Sequence, residues 1–73
     1  MEILKEYKYT REGNDCLITD CVCLIKFDEY FYTVVHAESV YGGWTGNPIT
    51  TKSEAFKDYD DALDYMTKLI RKI

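Results

Sequence analysis

Three cysteines, Cys16, Cys21 and Cys23, and a single histidine, His36, are the residues of this chain best suited to covalent or metal chemistry. Cys21 and Cys23 are two apart, so on a strand they share one face. Whether His36 joins them depends on the register of the hairpin between the two segments. A two-residue Asp28-Glu29 loop pairs Phe27 with Tyr30 and sets Cys21 opposite His36. A three-residue loop through Tyr30 pairs Phe27 with Phe31 and sends His36 to the other face. Neither Asp nor Glu readily takes the positive φ that a two-residue turn requires, which weakens the first register. Only that register assembles a thiol- or metal-dependent site at Cys21, Cys23 and His36, with a Cys–His nucleophile pair at its centre. Structural zinc takes four ligands, commonly with two-residue spacers between paired cysteines, and Cys-x-Cys with one His falls short of that set. The expectation is therefore buried free thiols, no cofactor, no metal and no catalytic residue.

A second constellation is Tyr41-Gly42-Gly43-Trp44-Thr45-Gly46-Asn47-Pro48, which holds three of the four glycines, the only proline and the only tryptophan. Glycines around one Trp permit unusual backbone geometry beside a large amphipathic ring. Trp and Tyr are enriched at binding hot spots, so Tyr41, Gly43, Trp44 and Asn47 are candidate partner contacts. The competing role for Trp44 is to fold back and seal the end of a small core. No Gly-Lys-Ser/Thr follows and no helix starts there, which excludes a P-loop. Nor does the spacing fit a dinucleotide fingerprint, and the Trp-Gly-Arg signature of a WGR module is absent.

Acids form the third group. Asp58, Asp60, Asp61 and Asp64 precede Lys68, Arg71 and Lys72 in a C-terminal segment whose apolar residues recur with helical spacing: Tyr59, Ala62, Leu63, Met66, Leu69, Ile70 and Ile73. The segment from Phe56 to Ile73 reads as an amphipathic helix, with its body at about 59–72. Asp58 is a suitable N-cap, and acids at the start with bases at the end complement the helix dipole. Asp64 and Lys68 are an i,i+4 pair. These structural roles account for the charges. Asp60, Asp61 and Asp64 remain candidate contacts for a basic partner.

The elements that must position these residues come from hydrophobic patterning. Residues 2–10 alternate in part, with Ile3, Tyr7 and Tyr9 on one side, and read as a half-exposed strand that Leu4 and Lys5 interrupt. Arg11 to Asp15 is a turn. Residues 16–27 are the most apolar run and fit a central strand, and 30–40 are rich in β-branched and aromatic types. Residues 41–51 form a loop, and 50–57 add a short polar edge strand whose lysines discourage edge pairing. The predicted fold class is α+β, in the order β-β-β-(β)-α. It is an antiparallel three- or four-stranded meander with one C-terminal helix packed on one face, forming a single small domain over 1–73.

Seventy-three residues bury only about 60% of the unfolded surface, so the core is small and a partner can matter. A net charge of −4 disfavours direct binding to nucleic acid or anionic membrane and permits a basic protein partner. No apolar run approaches the length of a membrane span, and the first ten residues lack the apolar stretch of a signal peptide, so the expected setting is cytoplasmic with reduced thiols. Seven tyrosines suit half-buried sheet faces and contact surfaces. The expected function is a small acidic protein–protein interaction module. One form of it is an inhibitor from a phage or mobile element that blocks a basic surface of a nucleic-acid-binding enzyme, in the style of anti-restriction and anti-CRISPR proteins. The alternatives are a structural homo-oligomer, such as a homodimer, and the thiol- or metal-dependent site above.

Overall fold

The computed structural model describes residues 1–42 and 49–73. Four strands, β1 (Glu2–Glu12), β2 (Cys16–Lys26), β3 (Tyr32–Gly42) and β4 (Ile49–Phe56), precede one helix, α1 (Tyr59–Lys72). The strands pair antiparallel in sequence order, β1-β2-β3-β4, and the helix packs on one face of the sheet, as the hydrophobic patterning predicts.

The β2–β3 hairpin takes the register with the longer turn. Phe27 N donates to Phe31 O at 3.3 Å, and Val22, not Cys21, stands opposite His36. Asp28 decides this locally. Its Oδ1 accepts from the backbone N–H of Tyr30 at 2.7 Å and of Phe31 at 3.2 Å, closing an Asx turn that draws Tyr30 into the loop. Strand β3 consequently starts at Tyr32 rather than residue 30. At the first hairpin it is Asp15 that takes a left-handed φ of 58°. A Cβ at Gly13 would come within 2.8 Å of Cys16 Sγ, so a larger residue there would make that side chain shift.

The helix-side face carries Val22, Leu24 and Val34, which are fully buried with Ala62 and Met66. Leu63 and Leu69, natural core candidates by their spacing, are only half-buried at the margin of this cluster; the helix turns Ala62 and Met66 most directly onto the sheet. Tyr7 also packs there, but Ile3 does not share its face. A bulge shifts the register between Ile3 and Lys5, so Ile3 pairs with Ile25 on the far face and Leu4 supplies the core contact. That bulge is the interruption at Leu4-Lys5. Asp58 holds the N-cap position, and its carbonyl accepts from Ala62 N–H at 3.1 Å, yet its side chain makes no cap hydrogen bond. The Asp64–Lys68 pair forms at 3.0 Å.

Candidate functional site

Strand alternation assigns each candidate residue on the described strands to a face, and pairing assigns it to an end. Cys21 and Cys23 lie side by side on the face away from the helix, with Sγ atoms 3.7 Å apart. His36 is opposite Val22, on the helix face. The three residues do not converge, because the Asx turn sets a register that sends them to opposite sides of the sheet. Among the described residues no group of three or more His, Cys, Asp or Glu side chains is arranged to hold a metal ion. Burial, then the neighbouring Cys21, pushes the Cys23 thiol up to about 11. A thiol so shifted is almost wholly protonated near neutrality and is a poor nucleophile.

His36 instead meets an acid that sequence reasoning leaves among the scattered ones. Asp20 is 1% exposed. Its Oδ1 accepts from His36 Nε2 at 2.9 Å, and its Oδ2 accepts from Arg11 Nη1. A carboxylate only accepts, so the hydrogen bond places the proton on Nε2. Arg11 also donates from Nη2 to Glu38 at 3.3 Å. Burial acts to raise the Asp20 carboxyl, and the hydrogen bonds from His36 and Arg11 outweigh it, holding the group below the ordinary carboxylate range. The four side chains come from β1, β2 and β3. With Leu69, Lys72 and Ile73 they line a recess of about 340 Å³ at the end of the helix. What this cluster does chemically is fix charge: each oxygen of the buried carboxylate has a donor, and three strands are tied at one point.

The acids gather in part. Glu2 pairs with Lys26, and Phe56 with Tyr32, so one end of the sheet collects Glu2, the Asp28-Glu29 turn and Asp58, with Asp60 and Asp61 in the first helical turn. Two exposed aromatic residues share that end. Tyr30 is 79% exposed, and Phe27 is 52% exposed and stacks on Phe31 with ring centres 5.0 Å apart. Asp64 lies one turn further on and is held by Lys68.

Tyr41 is exposed at the opposite end, about nine residues or roughly 30 Å along β3. The structure therefore does not bring Tyr41 together with Asp60, Asp61 and Asp64. Gly43, Trp44 and Asn47 lie outside the described residues.

The face away from the helix has an unusual composition. On β2 it carries Leu17, Thr19, Cys21, Cys23 and Ile25, and on β3 Thr33, Val35, Ala37, Ser39 and Tyr41. The partners on β4 are Ile49, Thr51, Ser53 and Ala55. None of these is charged. Charge on this face is confined to β1, where Lys8 and Glu6 pair at 3.3 Å and Glu12 follows nearer the first hairpin.

No protein-family model matches this chain, and searches of curated proteins and of solved structures return no match. No helix among the described residues is long and apolar enough to cross a membrane. The signals that could have found the ion cluster are weak ones. Asp20 is one acid inside the apolar run of β2, Arg11 is one of six charged residues on β1 and His36 and Glu38 lie on β3, and only the register shows that they meet.

Proposed function

We propose that this protein is a small acidic protein-binding module that docks on a basic surface of a partner, such as the groove of a nucleic-acid enzyme, and blocks it as anti-restriction and anti-CRISPR inhibitors do. The observation that carries this reading is the hairpin end of the sheet, where exposed Tyr30 and Phe27 stand among Glu2, Asp28, Glu29, Asp58, Asp60 and Asp61. Aromatic anchors within a polar rim are the usual anatomy of a contact surface. Carboxylates imitate the phosphate charges that a basic groove is built to hold, and they speed encounter with it.

The test is affinity capture from lysate with the wild-type chain beside Tyr30→Ala, at low and moderate salt, read by mass spectrometry. A basic protein retained by the wild type, weakened by salt and lost by the variant is the expected result. A folded Tyr30→Ala chain that retains every partner of its parent removes the hairpin end as the contact. A Trp44→Ala arm reads the glycine-rich segment separately.

A further inference from the structure

The sheet face away from the helix is the largest feature that this reading leaves unused. An antiparallel sheet that shows one face to water normally places polar and charged side chains there. Here the charged residues of β2 and β3 sit on the helix side, at Asp20, Lys26 and Glu38, and the open face of β2–β4 is uncharged over its whole length. The described part of the chain has one helix, and that helix packs on the other side.

We propose that this open face binds a second copy of the chain, two sheets packing face to face about a two-fold axis. Three observations select that occupant. Charge comes first. The chain carries −4, but none of its acids stands on the open face of β2, β3 or β4, so these three strands meet their copies without like-charge repulsion. A basic partner would gain nothing from this face.

Area is the second. Strands β2 and β3, of 11 residues, span about 36 Å and β4, of 8, about 26 Å; at about 4.8 Å spacing they give roughly 470 Å² per copy, or about 940 Å² in all, near the lower limit for a specific interface. The third is the core. The fully buried cluster is Val22, Leu24, Val34, Ala62 and Met66, and the three cysteines are free. A domain of this length has a small core, and association is one of the ways in which such domains add to their burial.

In such a pair, Cys21 and Ala37, which stand opposite each other near the middle of β2 and β3, lie close to the axis. The Lys8–Glu6 pair and the hydroxyls of Thr51 and Ser53 form the polar rim. Sheets packed this way sit about 10 Å apart with strands inclined by about 30°. The contact is isologous and closes, so association stops at two.

Sedimentation of the full chain from about 5 to about 500 μM tests this, a range that brackets interfaces of this size. The expected mass rises from 8.6 kDa towards twice that value. Ala37→Glu places two like charges near the axis and should weaken association at least tenfold, that is by about 1.4 kcal/mol or more, with the circular dichroism of the wild type. Should that variant fail to fold, Thr51→Glu asks the same question from an exposed edge position. Association should also slow the reaction of Cys21 with a thiol reagent and leave Cys16, on the opposite face, unchanged. A wild-type chain that stays at the monomer mass at the highest concentration overturns the proposal. So does a folded Ala37→Glu or Thr51→Glu chain that associates as the wild type does. Tyr30→Ala should leave the mass unchanged, which separates failure here from failure of the hairpin contact.

Discussion

Replacing Asp20 is the most direct probe of how this small sheet is held together. Its carboxylate is 1% exposed and has one oxygen on His36 Nε2 at 2.9 Å and the other on Arg11. Hydrogen bonds to a charged group contribute about 1.5–3 kcal/mol each. The Arg11 side chain is 38% exposed and keeps Glu38 at 3.3 Å, so water and Glu38 recover part of its loss. Asp20→Ala should therefore cost about 2–4 kcal/mol. At roughly 4–8 °C per kcal/mol for a domain of this size, the melting temperature falls by about 10–30 °C. Against a total stability of about 4–11 kcal/mol for 73 residues, that brings the domain close to unfolding. Asp20→Asn should cost less. Its amide oxygen still accepts from Arg11, and its NH₂ can donate to His36 Nε2 once the ring changes tautomer.

Both variants also change the response to acid. The folded carboxyl lies below its ordinary value, so its contribution is complete above about pH 4, where the unfolded group is ionised, and is lost as pH falls through the folded value. Urea unfolding of wild type and both variants at pH 7 and down to pH 3 measures the two effects together. A melting temperature for Asp20→Ala within a few degrees of wild type would refute the reasoning. An acid limb in Asp20→Asn as steep as the parent's would do so as well.

Two further outcomes follow from burial. Met66→Ala should cost about 2–5 kcal/mol and Leu63→Ala clearly less, because Met66 is in the buried cluster and Leu63 is at its margin; thermal melts compare them. Cys23 should react slowly with iodoacetamide at pH 7–8, and its rate should climb as pH approaches about 11, read by peptide mass spectrometry; full reaction within minutes at pH 7 would contradict its placement.

Much of the architecture is legible in local pattern. The helical spacing from Tyr59 to Ile73 and the apolar run from Cys16 to Phe27 identify α1 and β2, because a helix or strand announces its buried face within a few residues. The interruption at Leu4-Lys5 is visible too, although its effect, turning Ile3 away from Tyr7, appears only when β1 is set beside β2. The ion cluster was not legible. Arg11, Asp20, His36 and Glu38 span three strands, and a shift of one residue in a hairpin would move any of them to the other face.

By itself, the sequence determined element types, their order and the antiparallel meander, since periodicity and short connections leave few alternatives. Tertiary structure alone decided which titratable groups meet. The Asx turn at Asp28 sends His36 to Asp20 and leaves Cys21 and Cys23 on the open face. It also decided that Tyr41 and the helix acids stand at opposite ends, while Tyr30 and Phe27 join Asp28, Glu29 and Asp58. The physical reason is that side-chain alternation has a period of two, so strand chemistry depends on register, and register is set by turns and long-range pairing rather than by composition.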